Sequence, residues 1–149
     1  MRNTIRGILF ISILIFQSCN EKCDGPCFSP PHSFYFEIVD KSTGENLFTN
    51  GSFNPNDINV VNLVNQANVE FTFLDENEYN VIMINTIGWE SEIVNYSINI
   101  GPESICELYV DADRLKGECC SYTEYNEIQI NNAEYTHDQN LEFFKILVE

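Results

Sequence analysis

Phe34-Tyr35-Phe36-Glu37-Ile38-Val39-Asp40 decides the fold, because Phe34, Phe36 and Ile38 alternate with Tyr35, Glu37 and Val39. Successive side chains of an extended chain point to opposite faces, so this spacing gives one apolar face and one mixed face, the signature of a half-buried strand. Asp40-Lys41-Ser42-Thr43-Gly44 then closes the segment as a turn. Asp40 can accept from the backbone ahead of it, and Gly44 is free to take a positive φ. Leu47-Phe48 follows, and then Asn50-Gly51, the strongest short hairpin signal in the chain.

Working outward, further strands are expected at Ile58 to Val64, Val69 to Leu74, Tyr79 to Asn85, Ile93 to Ile100, Cys106 to Ala112, Glu127 to Tyr135 and Leu141 to Val148. The gaps between them are short and carry turn residues such as Asp75-Glu76-Asn77-Glu78 and Gly101-Pro102. Val81-Ile82-Met83-Ile84 is apolar on both faces and should be a central strand. No stretch sustains a period of 3.6 with helix caps. The chain is therefore expected to be all-β: an antiparallel β-sandwich of seven to nine strands, with a small barrel as the alternative. Fourteen side chains are expected inside it: Phe34, Phe36, Ile38, Phe71, Phe73, Ile82, Ile84, Ile98, Leu108, Val110, Ile128, Ile130, Phe144 and Ile146.

The run from Val39-Asp40 through Thr43-Gly44 to Asn46-Leu47 resembles the strand-turn-strand opening of transthyretin-like and immunoglobulin-like sandwich modules of surface proteins. It departs after Leu47, where those modules continue with a Gly-Ala step and this chain has Phe48-Thr49-Asn50-Gly51.

The N-terminus carries a different message. Arg2 and Arg6 precede a run of ten residues, Gly7 to Phe16, that is almost wholly apolar: the length of a signal-peptide core and too short to span a bilayer. Phe16-Gln17-Ser18-Cys19 resembles the lipobox of bacterial lipoproteins, with Phe16 where Leu is usual and Gln17 where a small residue is usual. Cleavage as an ordinary secretory signal is the rival, but it needs small residues at −1 and −3, and Phe16 and Gln17 stand in the way. The division expected is a leader over 1–18, a lipidated Cys19 with a flexible tether over 19–32, and a β-sandwich over 33–149. The resemblance, which extends to small lipoproteins of Bacteroidota, implies residence on the outer membrane through acyl chains on Cys19. It implies no activity. Nineteen asparagines agree with such a source.

The chain has a net charge of −16, and loss of the leader removes two arginines and no acid, leaving −18. A field of that sign repels nucleic acid and anionic head groups, so nucleic acid is excluded as a partner, and membrane contact is expected through the lipid anchor.

Cysteines stand at 19, 23, 27, 106, 119 and 120. With Cys19 acylated, the other five allow two bridges and one spare thiol in an oxidising compartment. Cys119 and Cys120 are a poor pair for each other, since adjacent Cα atoms lie only about 3.8 Å apart. The expected arrangement joins Cys23 or Cys27 to the Cys119-Cys120 pair, closing a long loop that adds about 4 kcal/mol in the chain-entropy model. Zinc is the alternative use, but the C-x2-C pairs of structural sites are missing.

Chemistry is thinly supplied. Of the two histidines, His32 falls in the proline-rich tether and His137, followed by Asp138, in the expected turn before the last strand. Neither is a promising acid–base group without a nucleophile in reach. Nucleophile-elbow, phosphate-loop and dinucleotide patterns are missing. Asp111, Asp113 and Glu118 suggest a calcium loop, but Leu115 occupies the fifth position and no glycine the sixth, so the EF-hand pattern fails; no metal and no cofactor is expected, with a looser calcium site between sandwich loops as the alternative. Recognition is better provided for. Trp89, the only tryptophan, lies between Gly88 and Glu90, and Tyr122 and Tyr125 follow the cysteine pair. Aromatic side chains near loops suit a glycan or protein partner, while a buried Trp89 and tyrosines packed over the disulfide are the commoner, structural use. The expectation is a non-catalytic binding or accessory module; a subunit of a surface assembly is the alternative, and a small hydrolase a more distant one.

Overall fold

The computed structural model describes residues 23, 27–76, 79–138 and 143–149. The leader expected over 1–18 and the lipidation expected at Cys19 lie outside the described residues. Among those described are nine strands: β1 (Phe34–Asp40), β2 (Ile58–Asn62), β3 (Thr72–Leu74), β4 (Val81–Ile84), β5 (Glu92–Ile100), β6 (Glu103–Lys116), β7 (Ser121–Asn131), β8 (Glu134–Asp138) and β9 (Phe143–Val148). They form two sheets in the orders β3-β4-β1-β9-β8 and β2-β5-β6-β7. The fold is a β-sandwich, and neither sheet closes into a barrel. No helix among the described residues is long and apolar enough to cross a membrane.

Among the described residues every strand pairing is antiparallel except one: β1 runs parallel to β9, with Phe36 opposite Phe144 and Ile38 opposite Ile146. This joins the two ends of the domain at the middle of one sheet. The alternation read in β1 holds through Ile38, with Phe34, Phe36 and Ile38 fully buried, and it breaks at Val39, which is fully buried on the opposite face. The Phe36 ring stacks on Phe144 with centroids 5.5 Å apart. β4 is central, between β3 and β1, as its two apolar faces require. Of the fourteen side chains expected inside, all but Phe71, Phe73 and Ile128 are buried, and those three pack partly buried against the same cluster.

Four expectations change. The run Glu127 to Tyr135 is two strands in different sheets, because Asn132 takes a φ of 62° and turns the chain between them. Asn is among the few residues that accept this region readily. His137 is thereby in β8 rather than in a turn, with its ring stacked 4.1 Å from that of Phe144. Gly51 turns the chain at φ 81°, yet the segments flanking Asn50-Gly51 form no paired strands. They fold into a knot of turns whose Phe48 packs on Phe73 and Phe53. Finally, β6 and β7 extend well past the expected Ala112, reaching Lys116 and Ser121 before they turn.

Candidate functional site

That extension builds one end of the molecule. The hairpin tip at 117–120 projects beyond the start of β5, and Gly117 is required there because a Cβ would come 2.7 Å from the Cys120 carbonyl oxygen. Its two cysteines take both N-terminal partners. Cys23 is bonded to Cys119 and Cys27 to Cys120, with Cα separations of 5.4 and 5.2 Å. These are comfortable disulfide spacings. Adjacent cysteines thus clasp two points of one incoming segment, and Cys106 is left as the spare thiol, buried in the core. Burial, aided by Glu107, pushes its pKa up to about 12, so it is an inert core residue.

The expected tether is fastened down over its described part. Arg114 occupies an inward position of β6, beyond Ala112, where the hairpin has outrun the core. Its guanidinium donates from Nη2 to the Ser29 carbonyl at 2.8 Å and from Nη1 to the Thr123 hydroxyl at 2.8 Å. Thr123 in turn donates to the Gly88 carbonyl at 2.7 Å. One side chain therefore ties together the incoming segment, β7 and the β4–β5 loop. The backbone N–H of His32 donates to the Tyr125 hydroxyl at 3.1 Å, and the Tyr125 ring meets Phe34 edge-on. Tyr125 is half-buried and braces the body through these two contacts.

Gly88 fits where no other residue does. Its φ is +90°, and a Cβ would stand 2.7 Å from Thr123 Cγ2 and 3.0 Å from the Tyr125 hydroxyl. Its N–H donates to Glu92 Oε1 at 2.6 Å. The turn this creates lifts Trp89 outward, and the indole N–H donates back to the Asn85 carbonyl at 3.0 Å. The ring is held but not hidden: Trp89 is 47% exposed, and its neighbour Phe28, with centroids 5.8 Å apart, is 72% exposed. Tyr122 on the hairpin is 47% exposed. Trp89 and the region from Cys119 to Tyr125, far apart in sequence, share one end of the sandwich. Sequence reasoning missed Phe28 and Arg114. The signal for Phe28 was its position directly after a cysteine expected to be bridged.

Glu90 beside Trp89 and Glu118 in the hairpin tip are exposed at this end, and a further group of acids takes another face. Glu107, Asp111 and Asp113 alternate with the buried residues of β6 and so lie on the outer side of the four-stranded sheet. There Asp111 is paired with Glu127, and Asp113 with Glu124. Like charges placed opposite each other repel. Asn126, at the bulge between these pairs, donates its amide to both Asp113 and Asp111. Among the described residues, no three His, Cys, Asp or Glu side chains are placed to hold a metal ion. An open hollow of about 490 Å³ lies at the edge of the other sheet, lined by Val69, Glu70, Phe71, Thr72 and Asn85. Neither a family model, nor a curated protein, nor a solved structure matches the chain.

Proposed function

We propose that the protein is a lipid-anchored component of a bacterial cell envelope, held at the outer membrane by acyl chains on Cys19, whose β-sandwich serves as a non-catalytic binding or accessory module. The observation that supports this most is the pair of bridges from Cys23 and Cys27 to Cys119 and Cys120. Disulfides favour an exported protein. Their position also fits a load carried at the N-terminus: they fasten the domain to the residues that immediately follow the lipobox-like cysteine. Two or more acyl chains hold a protein stably on a bilayer.

Metabolic labelling with palmitate tests the reading. Label should enter the wild-type protein and be lost in Cys19→Ser, and wild-type protein should partition with detergent. An unlabelled protein that stays in the aqueous phase would refute it. Turnover of generic esterase, glycosidase or peptidase substrates by the purified protein would refute the non-catalytic part. The second reading, a subunit of a surface assembly, is favoured by the exposed Phe28, Trp89 and Tyr122. Recovery of a stoichiometric protein partner from detergent extract would promote it.

A further inference from the structure

We infer that the aromatic end of the sandwich, Phe28, Trp89 and Tyr122, rests in the lipid head-group layer, so that the domain stands end-on upon its membrane. This rests on acylation of Cys19. Three residues separate Cys19 from Cys23, so their Cα atoms are at most about 14 Å apart even when the chain is fully extended. The head-group layer of one leaflet accounts for roughly 5–8 Å of this. Cys23 is bonded to Cys119, whose Cα is 5.4 Å away at the hairpin tip. The tip therefore cannot leave the neighbourhood of the bilayer.

The side chains gathered there suit that place. Phe28 follows the bridged Cys27 directly, Trp89 packs against Phe28, and Tyr122, two residues after the bridged Cys120, stands on the other face of the same hairpin, since it alternates with Thr123 and Tyr125, which meet Gly88. All three are substantially exposed. Trp and Tyr favour the membrane–water interface, where a ring can be half dry and its polar edge wet. The indole N–H, already satisfied by the Asn85 carbonyl, loses no partner there. The outer-face carboxylates extend along β6 and β7 away from the tip, from Asp113 to Glu107. Exposed Glu118 in the tip and Glu90 beside Trp89 make a zwitterionic surface, rather than an anionic one, the layer this end meets.

Because Trp89 is the only tryptophan, its fluorescence reads this contact directly. Purified mature protein is reconstituted into phosphatidylethanolamine–phosphatidylcholine vesicles and floated on a density gradient. In the floated protein, Trp89 emission should shift to the blue, lose most of its quenching by acrylamide and be quenched by lipids brominated near the top of the acyl chain. The reference is Trp89→Phe/Glu103→Trp, whose only indole lies at the opposite end, where Glu103 pairs with Ile100. It should stay open to acrylamide and untouched by brominated lipid. Flotation with Trp89 as open to acrylamide as the reference overturns the inference alone, and leaves the aromatic end to a glycan or protein. Equal protection of both indoles overturns the end-on posture. Protein that does not float overturns the anchor, and the inference with it.

Discussion

Replacing Gly88 by alanine perturbs the clasp end at its tightest point, and Gly44→Ala supplies the control. Both glycines have positive φ, +90° and +75°. An L-residue there costs about 1–2 kcal/mol from backbone strain alone. Gly44 has nothing within 4 Å of the new Cβ, so strain is its whole cost. At Gly88 the new methyl also meets Thr123 Cγ2 at 2.7 Å, the Tyr125 hydroxyl at 3.0 Å and Pro31 Cβ at 3.3 Å. Thr123 is hindered from turning away, because its hydroxyl is held between Arg114 and the Gly88 carbonyl. Overpacking of this kind adds about 1–3 kcal/mol. Gly88→Ala should therefore lose about 2–5 kcal/mol against about 1–2 for Gly44→Ala. With a urea slope of about 1–3 kcal/mol per molar, the two midpoints should differ by roughly 1 M. Far-UV circular dichroism is the suitable probe, since it does not depend on Trp89. Equal midpoints for the two variants would refute the packing described around Gly88.

Three more outcomes follow from the same structure. Phe36→Ala, at a fully buried position stacked on Phe144, should cost about 3–5 kcal/mol in urea unfolding. Cys106 should resist thiol reagents at neutral pH in the native protein and react fully once unfolded, since its thiol is buried with a pKa of about 12. Asp40, whose carboxylate accepts from Ser42 and Thr43 in the turn after β1, has its pKa lowered from 3.8 to about 2. A depressed carboxylate stabilises the fold above its unfolded pKa and loses that contribution as pH falls through the folded one. Wild type should lose stability relative to Asp40→Asn as pH drops from 3.8 towards 2, while the gap stays constant above that window.

Strands were legible wherever one face is dry. Phe34, Phe36 and Ile38 could be read because burial imposes period two, and Val81 to Ile84 because a central strand is dry on both sides. The β6–β7 hairpin tip was not legible for the same reason: beyond Ala112 the sheet has no partner layer, so Asp113-Arg114-Leu115-Lys116 carries no alternation. The break at Asn132 was hidden because a single residue at positive φ leaves little trace in the surrounding pattern. Cysteine spacing pointed to the clasp, since two adjacent cysteines cannot easily serve each other, but which partner each would take depends on how the hairpin tip faces the incoming chain. The Trp89 loop and the hairpin meet through contacts distant in sequence, such as the Thr123 hydroxyl on the Gly88 carbonyl. Phe28 looked like tether because its fixed position comes from Cys27, Trp89 and the Arg114 bond to Ser29, none of which is local.

The claim that most depends on chemistry outside the fold is that Cys19 bears lipid four positions ahead of a double clasp. Mass spectrometry of the non-reduced N-terminal peptide from the membrane fraction tests both halves at once. The expected species begins at Cys19, carries a diacylglyceryl group and an N-acyl chain, and is cross-linked through Cys23 and Cys27 to the peptide holding Cys119 and Cys120, with Cys106 as a free thiol. A peptide that begins elsewhere without acyl mass, or one whose Cys23 and Cys27 are joined to each other, would contradict it.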